Sequence, residues 1–467
     1  MNYDSDESLF APPSVDNFIE FFPWAVSQFS ILGVNVVIRK LVECELVSTS
    51  RHTVKLQKNV RVQDRANTVK SVLKVKSESI MTCDPSIPTI TISAYYSRGG
   101  FSLTGLKFEQ GMIIPRGMVV VLALMIRFHP MLTSITFVKN ADKFVIYELS
   151  KLVAKSNISE VYLDGCVVRE GMFDLLLDEN CRLKILSLAR CVLTDKFAKL
   201  ILAKMNFPKP ASFTLNMLNL SSNRITDVGA MYVAEMLRFN RSLYYLNLAD
   251  NFITDEGVNS IFNSLLEFTP TKSESNDIRR LKFEYLKKKQ YLINKFIADA
   301  ALKKDTKETL ANAVSDLNLG NRGRKKLSKT VNPMQIQKNP NDNIAEAIRQ
   351  ANETLGTYEY PLNQNITRDG VVYCAGNNTL QSLNLAYNRL SLISLKKILK
   401  AMEYQRDLKR EPIGLVNLNL EGNSIPIKCS ELIEINSLMM QASIPPTSSH
   451  PIKNHKSTAK GKLSTRV

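Results

Sequence analysis

Apolar side chains recur through the middle of the chain in a nine-residue pattern that is apolar at positions one, four and six. Seven strings follow it closely, starting at Leu132, Ile158, Leu183, Leu215, Leu243, Leu380 and Leu415. A weaker copy starts at Leu103. Because side chains alternate along a strand, positions four and six would face a core and positions three, five and seven would face outward. Each string therefore predicts a short strand that buries one face.

The ninth position of each string is Asn or Cys, and we interpret this residue as structural. Where the chain turns back after the strand, it leaves backbone groups inside the coil, and these side chains can hydrogen-bond to them. In stacked units they would form a ladder. The predicted ladder residues are Asn140, Cys166, Cys191, Asn223, Asn251, Asn388 and Asn423.

A helix is predicted after most of these strings. Thr226 and Asp227, then Thr254 and Asp255, stand where a helix N-cap is expected, and apolar residues follow at helical spacing. Strand-plus-helix units of this length are typical of ribonuclease-inhibitor-like leucine-rich repeats. The predicted fold is an α/β leucine-rich repeat solenoid (horseshoe), with parallel strands on the concave face and helices on the convex face.

The spacing of the strings divides the chain into five parts. Starts lie 25 to 32 residues apart from Leu132 to Leu243, but the next start, Leu380, comes 137 residues later. We predict an N-terminal cap region (1–100), about six repeats (101–268), a basic insertion (269–376), two C-terminal repeats (377–440) and a disordered basic tail (441–467). Within the insertion we expect a helix at about 278–304, followed by largely disordered chain.

The outward positions of the strands would form the binding surface, because such solenoids usually bind a partner on their concave face. Asn occupies the fifth position in four strings, and tyrosines stand beside this column. We assign protein binding to Tyr162, Asn219, Tyr245, Asn247, Asn384 and Asn419. Tyrosine is enriched at interface hot spots. The alternative for the Asn column, hydrogen bonding to water at the strand surface, stays open.

The formal net charge of +17 lies mostly outside the repeats. Residues 271–330 carry a net +9 and residues 441–467 a net +5, whereas the predicted concave face is slightly acidic. A nucleic-acid binder needs cations on its docking face, so nucleic acid is an unlikely partner for the concave surface. The basic segments are either solvated linkers or contacts to an acidic protein surface, such as the tubulin wall of a microtubule.

Sequence motifs for catalysis, cofactors or metals are not evident. The chain has four histidines and no CxxC, HExxH, GxSxG or phosphate-loop motif. We therefore expect no enzyme activity, no cofactor, no metal and no small-molecule substrate. The seven cysteines, an odd number without paired spacing, indicate a reducing compartment, and the polar, acidic start is unlike a signal peptide. The longest apolar run, 118–126, is too short to span a bilayer, so we expect a cytoplasmic protein.

Several segments together resemble the leucine-rich repeat-containing protein 71 family. They are 240–251, Thr254 to Gly257, Arg279 to Leu281, Arg368 to Tyr373, Gly376-Asn377, 380–385 and 412–420. The order of repeats, long basic insertion, short Arg-Asp-Gly segment and two final repeats is similar to the layout of that family. The resemblance covers about residues 100–430.

This resemblance implies a non-enzymatic scaffold associated with motile cilia or flagella, in the axoneme. It carries over no catalytic residues. Two alternatives stay open at this stage. One is a small-GTPase regulator of the Ran-activator type, although this chain lacks the acidic tail of those proteins. The other is a basic, nucleic-acid-associated adaptor.

Overall fold

One continuous sheet runs through the computed structural model, which describes residues 12–31, 33–42, 74–78, 89–97, 102–317, 340–356, 360–362, 365–408, 412–426 and 428–442. The strands are β1 (Val34–Val42), β2 (Lys74–Glu78), β3 (Ile90–Tyr96), β4 (Leu103–Phe108), β5 (Ser134–Phe137), β6 (Glu160–Tyr162), β7 (Ile185–Ser187), β8 (Met217–Asn219), β9 (Tyr245–Asn247), β10 (Asn365–Arg368), β11 (Val371–Cys374), β12 (Ser382–Asn384) and β13 (Asn417–Asn419). Within the described ranges, eleven of these strands form the sheet in the order β2-β1-β3-β4-β5-β6-β7-β8-β9-β12-β13, and β10 and β11 form a separate hairpin. From β4 to β13 all neighbouring strands are parallel.

The helices of the repeats cover one face of this sheet and bury the apolar core against it. The helices are α1 (Phe18–Ser27), α2 (Arg116–Met125), α3 (Lys143–Ala154), α4 (Asp195–Lys204), α5 (Ala211–Thr214), α6 (Asp227–Phe239), α7 (Asp255–Asn263), α8 (Lys272–Leu317), α9 (Pro340–Leu355), α10 (Leu392–Asp407) and α11 (Ser430–Ala442). Successive repeat helices contact one another from α2 to α3, α4 to α6, α6 to α7, α7 to α10 and α10 to α11. A short 3₁₀ turn, Phe173–Leu177, lies between α3 and α4 and contacts both.

Four of the ninth-position asparagines, Asn223, Asn251, Asn388 and Asn423, both donate to and accept from backbone groups inside the coil. Asn140 donates to the Glu109 oxygen at 2.9 Å, and its Oδ1 has no partner among the described residues. Asn223 Nδ2 donates to the backbone oxygens of Leu188 and Leu220, each at 2.9 Å. Its Oδ1 accepts from the backbone N–H groups of Cys191 at 3.1 Å and Leu193 at 3.0 Å. One side chain thus satisfies four buried backbone groups and joins two repeats.

The same bonding continues across the sequence gap that separates the repeats. Asn388 Nδ2 donates to the backbone oxygen of Leu248 at 3.0 Å, and its Oδ1 accepts from the Ile253 N–H at 3.1 Å. Ile253 and Asn388 are 135 positions apart in the chain. Asn251 and Asn423 reach the preceding repeat in the same way. The insertion therefore interrupts the sequence of the solenoid but not its stacking.

The two cysteines in this series make fewer bonds. Cys166 Sγ lies 3.7 Å from the Phe137 oxygen, and Cys191 Sγ lies 3.2 Å from the Leu163 oxygen. A thiol is a weak donor and a weak acceptor, so it cannot replace the amide fully. Burial raises the pKa of both thiols, which keeps them protonated.

A second series of hydrogen bonds joins the helix N-termini on the convex side. Asp227, the first residue of α6, accepts from both the N–H and the hydroxyl of Thr254, each at 2.7 Å. Asp195 and Asp255 bond in the same way to the helix caps of the repeats that follow them. A Cβ on Gly257 would lie only 2.5 Å from Asp227 Oδ1, so this helix position needs glycine.

The N-terminal segment packs onto the first repeats. Phe18, Phe22 and Val26 of α1 are fully buried in the same core as the repeats. Strands β1 and β3 are parallel to each other and extend the sheet, and β3 joins β4 in antiparallel pairing. These elements lie over the end of the coil, the position expected for a cap. Of the predicted cap region, 1–100, the structure describes residues 12–31, 33–42, 74–78 and 89–97, and most of the predicted tail, 441–467, lies outside the described residues.

The insertion differs from what the sequence led us to expect. Helix α8 runs from Lys272 to Leu317 rather than over about 278–304. Its start is fixed by a capping box, in which the Glu274 N–H donates to Thr271 Oγ1 at 3.2 Å and the Thr271 N–H donates to Glu274 Oε2 at 2.6 Å. The expectation of largely disordered chain after the helix was wrong for 340–355, which form α9, and for 365–374, which form the β10–β11 hairpin. Residues 318–339 are outside the described part.

We predict that Asn223→Ala destabilises the fold much more than Asn219→Ala. The first change leaves four buried backbone groups unsatisfied and should lower the free energy of unfolding by about 3 kcal/mol. The second removes a side chain from the half-buried sheet surface and should cost below about 1 kcal/mol. Urea denaturation followed by circular dichroism measures both. Equal losses in the two variants would contradict the structural role of the ninth position.

Candidate protein-binding face and the root of the insertion

The fifth positions of the repeats line up across the open face of the sheet. Strand register places them in one row, in the order Lys107, Thr136, Tyr162, Ser187, Asn219, Asn247, Asn384 and Asn419. Asn247 and Asn384 are direct partners although the insertion separates them in sequence. The structure therefore brings together all six residues that we assigned to protein binding, since Tyr245 stands in the neighbouring row. The ladder residues lie beneath this surface.

Each of the four asparagines in the row uses its side-chain oxygen for a hydrogen bond to the backbone that follows it. Each Oδ1 accepts from the backbone N–H two residues further on, at 3.0–3.1 Å. Asn219 Nδ2 donates to Ser187 Oγ at 3.0 Å. Among the described residues, Nδ2 of Asn247, Asn384 and Asn419 has no protein acceptor. The row thus presents amide donors that a partner can use, each held in place by the bond to its oxygen.

Two tyrosines of this face, Tyr162 within the row and Tyr245 in the neighbouring row, carry protonated hydroxyl groups. Tyr162 donates to Glu160 Oε2 at 3.3 Å. Burial, followed by the negative charges of Glu160 and Asp164, raises the pKa of Tyr162 to about 12. Burial also raises the pKa of Tyr245. Both hydroxyls are therefore neutral donors near pH 7, although that of Tyr162 is already engaged with Glu160.

The third positions add apolar surface that our interpretation of the sequence did not single out. Register places Glu160, Ile185, Met217 and Tyr245 side by side on consecutive strands, and all four are half-buried. Ile185 and Met217 thus form an apolar strip between a carboxylate and a tyrosine. Their outward position could be found from the repeat register, but leucine-rich sequences contain so many aliphatic residues that these two did not stand out.

The charge of the face is carried by carboxylates. Lys107 pairs with Glu109 at 2.6 Å, and Ser93 also donates to Glu109 at 2.8 Å. Asp164 accepts from the Ser187 hydroxyl at 2.5 Å and from the Ala189 N–H at 3.1 Å. In the part of the chain that the structure describes, no Lys, Arg or His pairs with Glu160, Asp164 or Glu421. The open face is therefore acidic, as its sequence predicted.

The insertion leaves and rejoins the solenoid at one point, on the edge where the repeat helices end. Phe268 and Cys374 exchange two backbone hydrogen bonds, of 3.2 and 2.8 Å. Arg238 of α6 forms a two-pronged ion pair with Glu274 of α8, with its Nη2 2.7 Å and 2.9 Å from the two carboxylate oxygens. The Arg238 guanidinium also stacks 3.7 Å from the Phe268 ring centroid. We call this attachment point, formed by Phe268, Cys374, Arg238 and Glu274, the root of the insertion. It lies away from the open face of the sheet.

A small apolar cluster holds the root together. Tyr360, Leu362 and Cys374 are its buried members, and it packs between the repeats and the start of α8. The surrounding side chains are Phe207, Phe239 and Phe268 of the repeats together with Ile278 and Leu281 of α8. Because both ends of the insertion and the base of α8 share this cluster, α8 has a fixed attachment to the repeats.

The matches to known proteins agree with this architecture. A sequence family described as "Leucine Rich repeat" matches residues 211–234, 239–262 and 376–399, which contain β8, β9 and β12. The matched segments lie on both sides of the insertion. The protein is a leucine-rich repeat solenoid. The predicted fold class is thus confirmed.

Among solved structures, the solenoid is similar to an internalin from Listeria monocytogenes str. 4b F2365, with 13% sequence identity and a TM-score of 0.28. The match covers 67% of this chain and 54% of that chain, so the chain spans about half the length of the internalin. A TM-score this low supports no conclusion about function.

In the described ranges, no helix is both long and apolar enough to cross a membrane. The same ranges contain no group of three or more His, Cys, Asp or Glu side chains that could hold a metal ion.

We predict that the insertion can be excised without loss of the solenoid. Replacing residues 269–373 by Asn-Gly would join Phe268 to Cys374 through a two-residue hairpin turn, which their mutual hydrogen bonds already accommodate. The variant should keep a cooperative unfolding transition, measured by circular dichroism during heating.

The control extends the excision to residue 378. It removes Asn377, which donates to the Leu237 and Asn240 oxygens at 2.9 and 2.8 Å, and Gly376, where a Cβ would lie 2.2 Å from the Leu265 oxygen. This longer excision should unfold cooperatively only at a much lower temperature, if at all. Loss of the transition in the shorter excision would show that the insertion is part of the fold.

Proposed function

We propose that this protein is a non-enzymatic scaffold that holds another protein on the concave face of its solenoid. The observation that carries the proposal is the unbroken row of outward side chains that crosses eight parallel strands, including the junction at the insertion. Leucine-rich repeats are typically protein-interaction modules, and the repeats are shown by both the sequence match and the fold.

The chemistry of the face supports a protein partner. Asn247, Asn384 and Asn419 offer amide donors suited to backbone or side-chain oxygens, and Ile185 and Met217 offer apolar contact. Such a mixture of apolar area, tyrosine and directional polar groups is typical of protein interfaces. Its carboxylates would repel a phosphate backbone, so this face does not favour a nucleic acid.

The insertion supplies a second, separate surface for anchoring. Its root fixes α8 to the edge of the solenoid, and α8 carries exposed basic side chains, among them Arg279, Lys282, Lys287 and Lys288. We infer that the concave face holds one partner while the basic helix attaches the protein to an acidic surface. Two surfaces on one rigid body are what an adaptor requires.

We further propose that the assembly is the axoneme of motile cilia or flagella, in the cytoplasm and attached to the cytoskeleton. This step depends on the resemblance to the leucine-rich repeat-containing protein 71 family. The charge of α8 supports it, because a basic helix suits the acidic surface of tubulin-containing structures.

Localisation of the tagged full-length protein in ciliated and non-ciliated cells tests this proposal. We expect axonemal signal in ciliated cells, reduced by excision of residues 269–373.

Co-purification of the concave-face partner tests the role of the row. Asn247→Arg with Asn384→Arg should abolish this co-purification, because the longer cationic side chains would block the row. Val228→Arg on the convex side, at a position 48% exposed, is the matched control and should have no effect. Diffuse signal in ciliated cells would contradict the axonemal assignment, and unchanged co-purification with both arginines would contradict the concave-face role.

A further inference from the structure

The outer face of α8 carries a ridge in which cationic and aromatic side chains alternate at every fourth position. Its members are Arg279, Phe283, Lys287, Tyr291 and Lys295, and all five are exposed. Phe283 and Tyr291 are each 68% exposed. Residues four apart lie next to each other on a helix, about 6 Å apart along its axis, so the ridge is about 24 Å long. Because four residues exceed one turn of 3.6 residues, the ridge runs obliquely and turns by about 160° around the axis between Arg279 and Lys295.

The opposite side of α8 is already occupied. Ile278 and Leu281 pack into the root cluster, and the Tyr285 hydroxyl donates to the Gly356 oxygen at 3.1 Å, beside the end of α9. Helix α9 packs along α8 from there. The ridge therefore faces away from both the repeats and α9. Two large aromatic rings exposed on a well-attached helix mark an interaction surface rather than a core position.

The cations of the ridge are uncompensated. Arg280, beside the ridge, pairs with Asp277 at 2.9 Å and with Glu284 at 3.8 Å. Over the ranges that the structure describes, Arg279, Lys287 and Lys295 have no carboxylate within ion-pair distance. A complementary surface would carry carboxylates alternating with apolar side chains at the same spacing. An amphipathic helix with Asp or Glu at every other position of such a row has this arrangement.

The neighbouring groups favour a protein over a nucleic acid. Leu286 is 51% exposed and Leu302 64% exposed, and they add aliphatic area that a phosphate backbone would not cover. Alongside, α9 presents Glu346 and Glu353, both of which pair with Arg349. These carboxylates would repel phosphates, whereas apolar area strengthens contact with a protein helix.

We propose that this outer face of α8 docks an acidic amphipathic helix of a partner protein. Phe283 and Tyr291 are the anchors, and Arg279, Lys287 and Lys295 pair with carboxylates of the docked helix. The inference rests on the proposed anchoring role of the insertion and names the surface and the chemistry of its partner. The aromatic rings supply affinity, and the cations set the register and orientation of the helix.

Binding of a synthetic helical peptide to the full-length protein tests the proposal by fluorescence anisotropy. The probe carries Glu and Leu alternating at four-residue spacing, and a second peptide has Lys in place of each Glu. We expect micromolar binding of the acidic peptide, weakened by added salt, and none of the basic one. Phe283→Ala with Tyr291→Ala should weaken binding about tenfold or more. Alanine is a good helix former, so α8 should persist, as circular dichroism will check.

Controls separate this surface from the concave face. Phe144→Ala removes another exposed ring, 50% exposed on α3, and should leave peptide binding unchanged. Asn247→Arg with Asn384→Arg should also leave it unchanged, so failure of the concave-face role and failure of this proposal are distinguishable.

Several outcomes would overturn the proposal. Absence of binding to the acidic peptide, or equal binding by the wild type and the double alanine variant, would do so directly. Tighter binding of single-stranded oligouridine would assign the ridge to nucleic acid, and tighter binding of phosphatidylserine vesicles would assign it to a membrane. Self-association that is lost in the double alanine variant would assign the ridge to a second copy of the chain.

Discussion

Each turn of this coil encloses backbone N–H and C=O groups in a space that apolar side chains seal from water. A buried backbone group without a partner costs about 1–3 kcal/mol, so a solenoid of this length depends on an internal partner for every turn. The amide of Asn223 meets this need by donating and accepting at once, which a thiol such as Cys191 does only in part. Because each amide bonds to the neighbouring repeat, the same bonds that satisfy the coil also set the stacking of its units.

This constraint explains how a long insertion can be tolerated. Asn388 bonds to the repeat of Ile253 as if the two were consecutive, and the chain between them is tied off where Phe268 meets Cys374. The stacking energy lies in the contacts between repeats rather than in their linear connection. The insertion is therefore free to carry a separate surface. Its attachment through Arg238 and Glu274 holds α8 at the edge of the solenoid, away from the concave face.

Much of the fold could be predicted because the repeats impose a fixed spacing of apolar residues and asparagines. The elements that could not be predicted from the sequence lack this repetition. Helix α8 begins at a capping box of two residues, Thr271 and Glu274, and its polar first turn showed no apolar period. Helix α9 is held by packing on α8, and β11 by the backbone bonds between Cys374 and Phe268. Between them in the chain, the Tyr360 ring packs against Phe207 of the repeats, with ring centroids 5.2 Å apart. Such tertiary contacts leave little trace in local composition. The concave row followed from register, but bonds such as that from Tyr162 to Glu160 required the structure.

Amide hydrogen exchange at Ile253 tests most directly the claim that side-chain amides join the repeats across the insertion. The N–H of Ile253 donates to Asn388 Oδ1 at 3.1 Å, from a residue 135 positions away. In the intact chain this amide should exchange with solvent only when the repeats unfold, and its exchange should therefore be slow. Asn388→Ala should accelerate the exchange by orders of magnitude. If Ile253 exchanged in the intact protein as fast as the exposed amide of a surface loop, the repeats on the two sides of the insertion would not be stacked as described.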